Sequence, residues 1–239
     1  MRRAVSFLTP FGRAATPENT TLAWFPIVGA LIGFAVGGLW WLAAKVWLRL
    51  IAGAIAVAAD LALTGLLHFD GLADAGDGLL APLTRERRLA AMADPAIGAF
   101  GALTVGAVLL LRFGAFASLR PSPLAIAGLW CASRTAMVAI TEALPYARPN
   151  GLVQSFLGAR STRQRGVLRV SVVVGIALSA ALVLLARGMR GLAALGAELI
   201  AIVLVALFSR RRLGGYTGDV LGAAGVVGET IGLLALAVR

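Results

Sequence analysis

Seven apolar runs, each roughly 20 residues long and so able to cross a bilayer as a helix, recur from one end of this chain to the other. They lie at about 22–44, 47–67, 96–119, 121–144, 170–186, 192–209 and 219–238. A backbone in lipid must satisfy its own hydrogen bonds, so runs of this length read as helices. The fold expected is an all-α polytopic membrane protein of about seven transmembrane helices, a single integral domain over 1–239. Composition agrees. Only 14% of residues are charged, against about a quarter in a soluble domain, and mean hydropathy is +0.89.

The net charge of +11 is almost all arginine, with Lys45 the only lysine. In a chain this apolar, loop topology explains a basic excess before nucleic acid does, and no nucleic-acid partner is expected. With the N-terminus inside, fourteen basic residues fall in inner segments and six in outer ones, so the N-terminus is predicted inside and the C-terminus outside. No short apolar core with a small-residue cleavage site follows Arg2 and Arg3, so no cleaved signal is read. The chain is expected in the inner (plasma) membrane of a prokaryote-like cell, with lipid and a second copy of itself (a homo-oligomer) among its candidate partners. Cys131, a lone cysteine in an apolar run, reads as packing. Gly29, Gly33 and Gly37 form a small-residue stripe that could be a packing seam or an ordinary glycine-rich helix, and Trp40, Trp41 and Trp47 suggest an interfacial belt.

Against this background Leu67-His68-Phe69-Asp70-Gly71-Leu72-Ala73-Asp74-Ala75-Gly76-Asp77-Gly78 stands out. It holds three of the chain's eleven acids and its single histidine. Asp70, Asp74 and Asp77 are spaced i, i+4, i+7, so a helix puts all three carboxylates on one face, where they repel unless a cation sits among them. Mg²⁺ takes oxygen ligands and is commonly shared between a few carboxylates and substrate phosphates, with arginines holding the remaining oxygens. A free carboxylate could take the proton of an attacking hydroxyl, and His68 competes for that role. A hydrogen-bonded interfacial histidine and a simple Asp-Gly turn are the alternatives. Arg85, Arg87 and Arg88, the Arg-rich connection 145–169 and Arg210-Arg211-Arg212-Leu213-Gly214-Gly215 fall on the same predicted side and could share one cytosolic site. Asp219 can be a helix-terminal cap, whereas Glu229, Asp60, Arg112, Arg134 and Glu198 are ionisable groups inside spans and need partners.

From Thr64-Gly65 to Gly78 the chain strongly resembles the cobalamin synthase (adenosylcobinamide-GDP ribazoletransferase) family. Trp24, Pro26, Gly29 and Gly33 resemble its first-span segment. Further blocks follow in order: Arg85, Arg87, Met92, Asp94, Gly98 and Gly101; Ser133-Arg134; Tyr146-Ala147-Arg148 with Gly151 and Phe156; and Leu213-Gly214-Gly215, Thr217-Gly218-Asp219, Leu221-Gly222-Ala223. The chain departs from the family pattern at Pro10, Ala93, Pro95 and Val226. The resemblance implies a transferase that joins adenosylcobinamide-GDP to α-ribazole or its 5′-phosphate, releasing GMP, at the end of cobalamin biosynthesis. It implies Mg²⁺ as cofactor, held among Asp70, Asp74, Asp77 and Asp94. Asp70 and Asp74 would be the catalytic residues, with His68 more a positioning group than the base. Arg85, Arg87, Arg134 and Arg148 would contact substrate phosphate, and Asp219 would serve the same subsite as a metal or base candidate. Two competing readings are a CDP-alcohol-type membrane phosphotransferase and a cation- or proton-coupled transporter with Asp60, Asp70 and Glu229 along its path.

Overall fold

The computed structural model describes residues 1–11, 20–148 and 161–238; Arg13, Gly151, Phe156, Arg160 and Arg239 lie outside them. The described residues form helices and no β-strand. These are α1 (Arg2–Leu8), α2 (Phe25–Val46, entered through a 3₁₀ turn Leu22–Trp24), α3 (Arg49–Leu63), α4 (Leu67–Leu80), α5 (Arg85–Ala91), α6 (Ala99–Ser118), α7 (Pro123–Ala143), α8 (Thr162–Arg187), α9 (Met189–Leu213) and α10 (Gly218–Leu236). Among them α2 with its turn, α6, α7, α8, α9 and α10 are long and apolar enough to span a membrane. Counting α3 and α4 as one span with a 90° bend makes a seventh.

The glycine stripe is a packing seam. A Cβ on Gly29 would come within 2.5 Å of the Trp130 carbonyl oxygen, on Gly33 within 2.6 Å of the Ile126 carbonyl oxygen, and on Gly37 within 2.7 Å of Pro123 Cα. Only hydrogen at these positions lets α2 lie directly on the α7 backbone. α7 is the hub, packed also against α8, α9 and α10. Trp40 lies on the same face of α2 as the stripe and is 2% exposed, its ring edge-on to Phe116 at 4.9 Å. It is therefore core, and of the three expected in an interfacial belt Trp41 and Trp47 are the exposed ones.

Several expected boundaries move. The run at 47–67 is not one straight helix, because Gly65 (φ 57°) and Leu66 (φ 62°) are both left-handed and turn the chain through 90° between α3 and α4. Gly65 adopts that conformation without cost, while Leu66 gives up about 1–2 kcal/mol. α6 begins at Ala99 rather than beside Pro95, because Asp94 folds the preceding segment into a turn that accepts the Ala96 N–H at 2.9 Å. Part of the polar connection 145–169 is helical. Ser161 and Gln164 form a reciprocal capping box that starts α8 at Thr162. α9 runs past Ser209 through Arg210, Arg211 and Arg212, whose charges favour its negative C-terminal end. Cys131 is buried, as expected for packing.

Candidate active site

α4 sets the site. Its inner face, with Phe69, Leu72 and Leu79, is buried, while Asp70 is exposed and Asp74 and Asp77 are half-buried along the outer stripe. Gly71 faces α10: a Cβ there would lie 2.9 Å from the Asp219 carbonyl oxygen. That close approach brings Asp219 to the α4 stripe, and Asp74 lies within electrostatic reach of Asp219, Asp70, Arg148 and Asp77. The glycine after Asp70 is thus what allows acids from two distant segments to converge.

Three connections meet here. Arg85 donates through Nε to the Leu213 carbonyl (2.7 Å) and through Nη2 to the Ala147 carbonyl (3.1 Å). The Ala147 N–H donates to Tyr216 O (2.8 Å) and the Tyr216 N–H to Pro145 O (3.0 Å), a short parallel bridge between the segments after α7 and α9. Arg148 then reaches Asp219 at 2.9 Å and donates to Met92 O at 3.1 Å. Arg88 closes the far end of α4 by donating to Gly78 O (2.7 Å) and Leu79 O (2.8 Å). Arg85 therefore holds the loops together through carbonyls, and Arg87 is exposed on α5.

A cavity of about 270 Å³ opens beside these residues. Asp70, Tyr146, Arg148 and Asp219 give it a polar end, side chains from α1, the 3₁₀ turn, α2 and α10 give it apolar walls, and His68 lines it as well. The N-terminal segment, the start of α4 and the segments around 146–148 and 218–219 therefore share one end of the bundle. Burial pushes the Tyr146 phenol above its ordinary pKa, and the neighbouring Arg148 charge opposes that rise.

Other candidates lie elsewhere. Asp77 accepts the Gly98 N–H at 2.7 Å and the Gly101 N–H at 2.9 Å, so its carboxylate caps α6. Asp94 is exposed in its own turn. Arg134 is 1% exposed and paired with Glu229, which also pairs with Arg112 at 2.8 Å. Arg112 in turn pairs with Asp60, whose other oxygen accepts the Trp130 indole N–H at 2.9 Å. Asp60, Arg112, Arg134 and Glu229 thus partner one another in the core, whereas Glu198 is buried with neither carboxyl oxygen hydrogen-bonded among the described residues. Sequence reasoning missed the apolar lining, Phe7, Leu8 and Phe25 among it. Its one signal was Ala4 and Leu8, spaced as one buried face of a short helix.

The family model for cobalamin-5-phosphate synthase matches residues 1–237. The chain belongs to the cobalamin-5-phosphate synthase family. It is 39% identical over 217 residues to adenosylcobinamide-GDP ribazoletransferase of Citrobacter koseri, covering 89% of this chain and 85% of that protein. It is 35% identical over 250 residues to the protein of the same name from Chlorobium phaeovibrioides, covering 98% and 95%. It is 37% identical over 217 residues to that of Escherichia coli O17:K52:H18, covering 89% and 85%. No solved structure matches the chain.

For this cobalamin-5-phosphate synthase family member the fit of a metal can be judged from its donors. Among the described residues no three His, Cys, Asp or Glu side chains form a ready-made cage. Mg²⁺ does not require one, since it commonly keeps its waters and binds through one or two carboxylates plus substrate phosphates. Asp70 and Asp74 fit that demand, being a turn apart on one helix and, among the described residues, without an ion pair, whereas Asp77 is engaged by two backbone N–H groups.

Proposed function

We propose that this chain catalyses the transfer named for its relatives: adenosylcobinamide-GDP and α-ribazole, or its 5′-phosphate, give adenosylcobalamin, or its 5′-phosphate, and GMP. The observation that carries the proposal is the convergence of Asp70, Asp219 and Arg148 on one cavity in a chain matched along 1–237 by a single family model. The free ribose 3′-hydroxyl of the acceptor, whose 5′-oxygen keeps its phosphate in the product where it carries one, attacks the β-phosphorus of the GDP group. A new P–O bond forms, the P–O bond to GMP breaks, and the acceptor proton leaves to a carboxylate. Asp70 is assigned that proton because it lines the cavity and carries no ion pair among the described residues. Arg148, held by Asp219 and the Met92 carbonyl, presents a fixed cation to the phosphate oxygens. Mg²⁺ held at Asp74 would neutralise charge on the diphosphate and leave Asp70 free to take the proton. The site is assigned to the cytosolic side, where the basic loops lie under the positive-inside rule.

Two features weaken the competing readings. A transporter path needs accessible carboxylates, but Asp60 and Glu229 are buried in ion pairs with Arg112 and Arg134. A CDP-alcohol enzyme normally places Arg after the motif Ala, where this chain has Asp74. The test is GMP release from adenosylcobinamide-GDP and α-ribazole by the purified protein in lipid nanodiscs, with Mg²⁺ and with a chelator. GMP formed only with Mg²⁺ supports the proposal. Failure to form GMP, with CMP released from a CDP-alcohol instead, overturns it.

A further inference from the structure

We infer that the apolar end of the cavity seats the aromatic base of the acceptor, a flat bicyclic ring with one accepting nitrogen on its free edge, and that His68 Nε2 is the polar contact selecting it. The inference rests on the proposed transfer reaction. The walls at this end come from Phe7, Leu22, Phe25, Met137 and Leu221. Phe7 and Phe25 stack on each other at 5.8 Å with planes 24° apart, offering an aromatic corner to a flat ligand. His68 also lines the cavity, is 5% exposed, and among the described residues leaves Nε2 buried without a hydrogen-bond partner. The neighbouring Thr141 hydroxyl donates to Val138 O at 2.8 Å within its own helix. His68 is then the side chain at this end with a ring nitrogen still to satisfy, and buried polar atoms are rarely left so.

Size and polarity choose among the three candidate occupants. A cavity of about 270 Å³ is below the ordinary range for drug-sized ligands and is too small for a corrin macrocycle. Guanine presents an amide, an amino group and ring nitrogens along its edges, and burying these against leucine and phenylalanine would strand most of them. A dimethylbenzimidazole nucleoside has an apolar outer edge and a single free ring nitrogen. With that nitrogen on His68, the ribose is directed toward Asp70, two residues further along α4, and toward Arg148 and Asp219, where the phosphoryl group must arrive.

Steady-state GMP release by the full chain in nanodiscs, with each substrate varied in turn, tests this. Leu221→Phe narrows the pocket and should raise KM for α-ribazole by about tenfold or more, leaving KM for adenosylcobinamide-GDP within about twofold. The penalty should shrink for an acceptor whose benzimidazole lacks the two methyl groups. His68→Leu should raise the acceptor KM selectively, and His68→Gln, which keeps a hydrogen-bonding end, should recover part of it. Met137→Phe provides a second narrowing variant if Leu221→Phe does not fold. A selective rise in KM for adenosylcobinamide-GDP would place the guanosine end here and overturn the inference. Equal acceptor KM in all variants would overturn it too. Wild-type protein that releases no GMP would instead refute the transfer reaction, and the inference with it.

Discussion

At the residue scale the chain separates two kinds of acid, one buried in the core and one on an accessible stripe. Glu229 is 1% exposed, pairs with Arg112 and Arg134, and accepts the Ser133 hydroxyl at 2.6 Å. Replacing it with leucine would leave Arg134 without a carboxylate partner among the described residues and Arg112 with Asp60 alone. Glu229→Leu is expected to cost about 3–5 kcal/mol, read as a large drop in melting temperature of the detergent-solubilised protein. A melt like that of the wild type would show that the network does not hold the spans together. That Glu229, Asp60, Arg112 and Arg134 needed partners was legible from their places in apolar runs. Which partner each takes was not, because the pairings join residues of α3, α6, α7 and α10 that only the packing brings together. Asp70 and Asp74 are the other kind: acids on an accessible stripe whose charge the core leaves unpaired.

At the element scale, helix ends decide what the third acid of that stripe does. The i, i+4, i+7 spacing correctly indicated a helix with Asp70, Asp74 and Asp77 on one side. It could not indicate that α6 would set its N-terminus on Asp77, which satisfies two of the N–H groups that open a helix. Asp77→Asn keeps an accepting oxygen and should cost no more than about 1 kcal/mol. Asp77→Ala should cost toward 2 kcal/mol. Turnover of Asp77→Asn at saturating Mg²⁺ should stay near wild type, and its abolition would return Asp77 to the metal site. The α2–α7 seam makes a separate prediction. Gly33→Leu pushes a side chain into the Ile126 and Ala127 backbone and the Trp130 side chain and should destabilise by at least about 1–3 kcal/mol, seen as reduced yield and melting temperature. The left-handed Leu66, by contrast, gave no sign in the sequence. Gly65 alone hinted at the bend that separates α4 from α3.

For the whole molecule, the apolar runs made the helical membrane architecture readable, and six of them reappear as single long helices. The gathering of Arg85, Arg148 and the 213–219 segment was readable only as a shared side. Their meeting through carbonyl contacts, and the cavity behind them, required the packing of α1 and the bent α3–α4 pair. The sidedness is open to direct measurement. With buried Cys131 inert, a cysteine at exposed Thr84 should react with an impermeant thiol reagent only from the cytosolic face. One at Met189, 74% exposed at the start of α9, should react only from the outer face. Labelling of both from one face would contradict the seven-crossing topology. The central claim, that phosphoryl transfer occurs at the α4 carboxylates, is tested most directly by GMP release from Asp70→Asn in nanodiscs. The account predicts a loss of at least about 100-fold with melting temperature unchanged, as for removal of a proton acceptor. Release at the wild-type rate would contradict it.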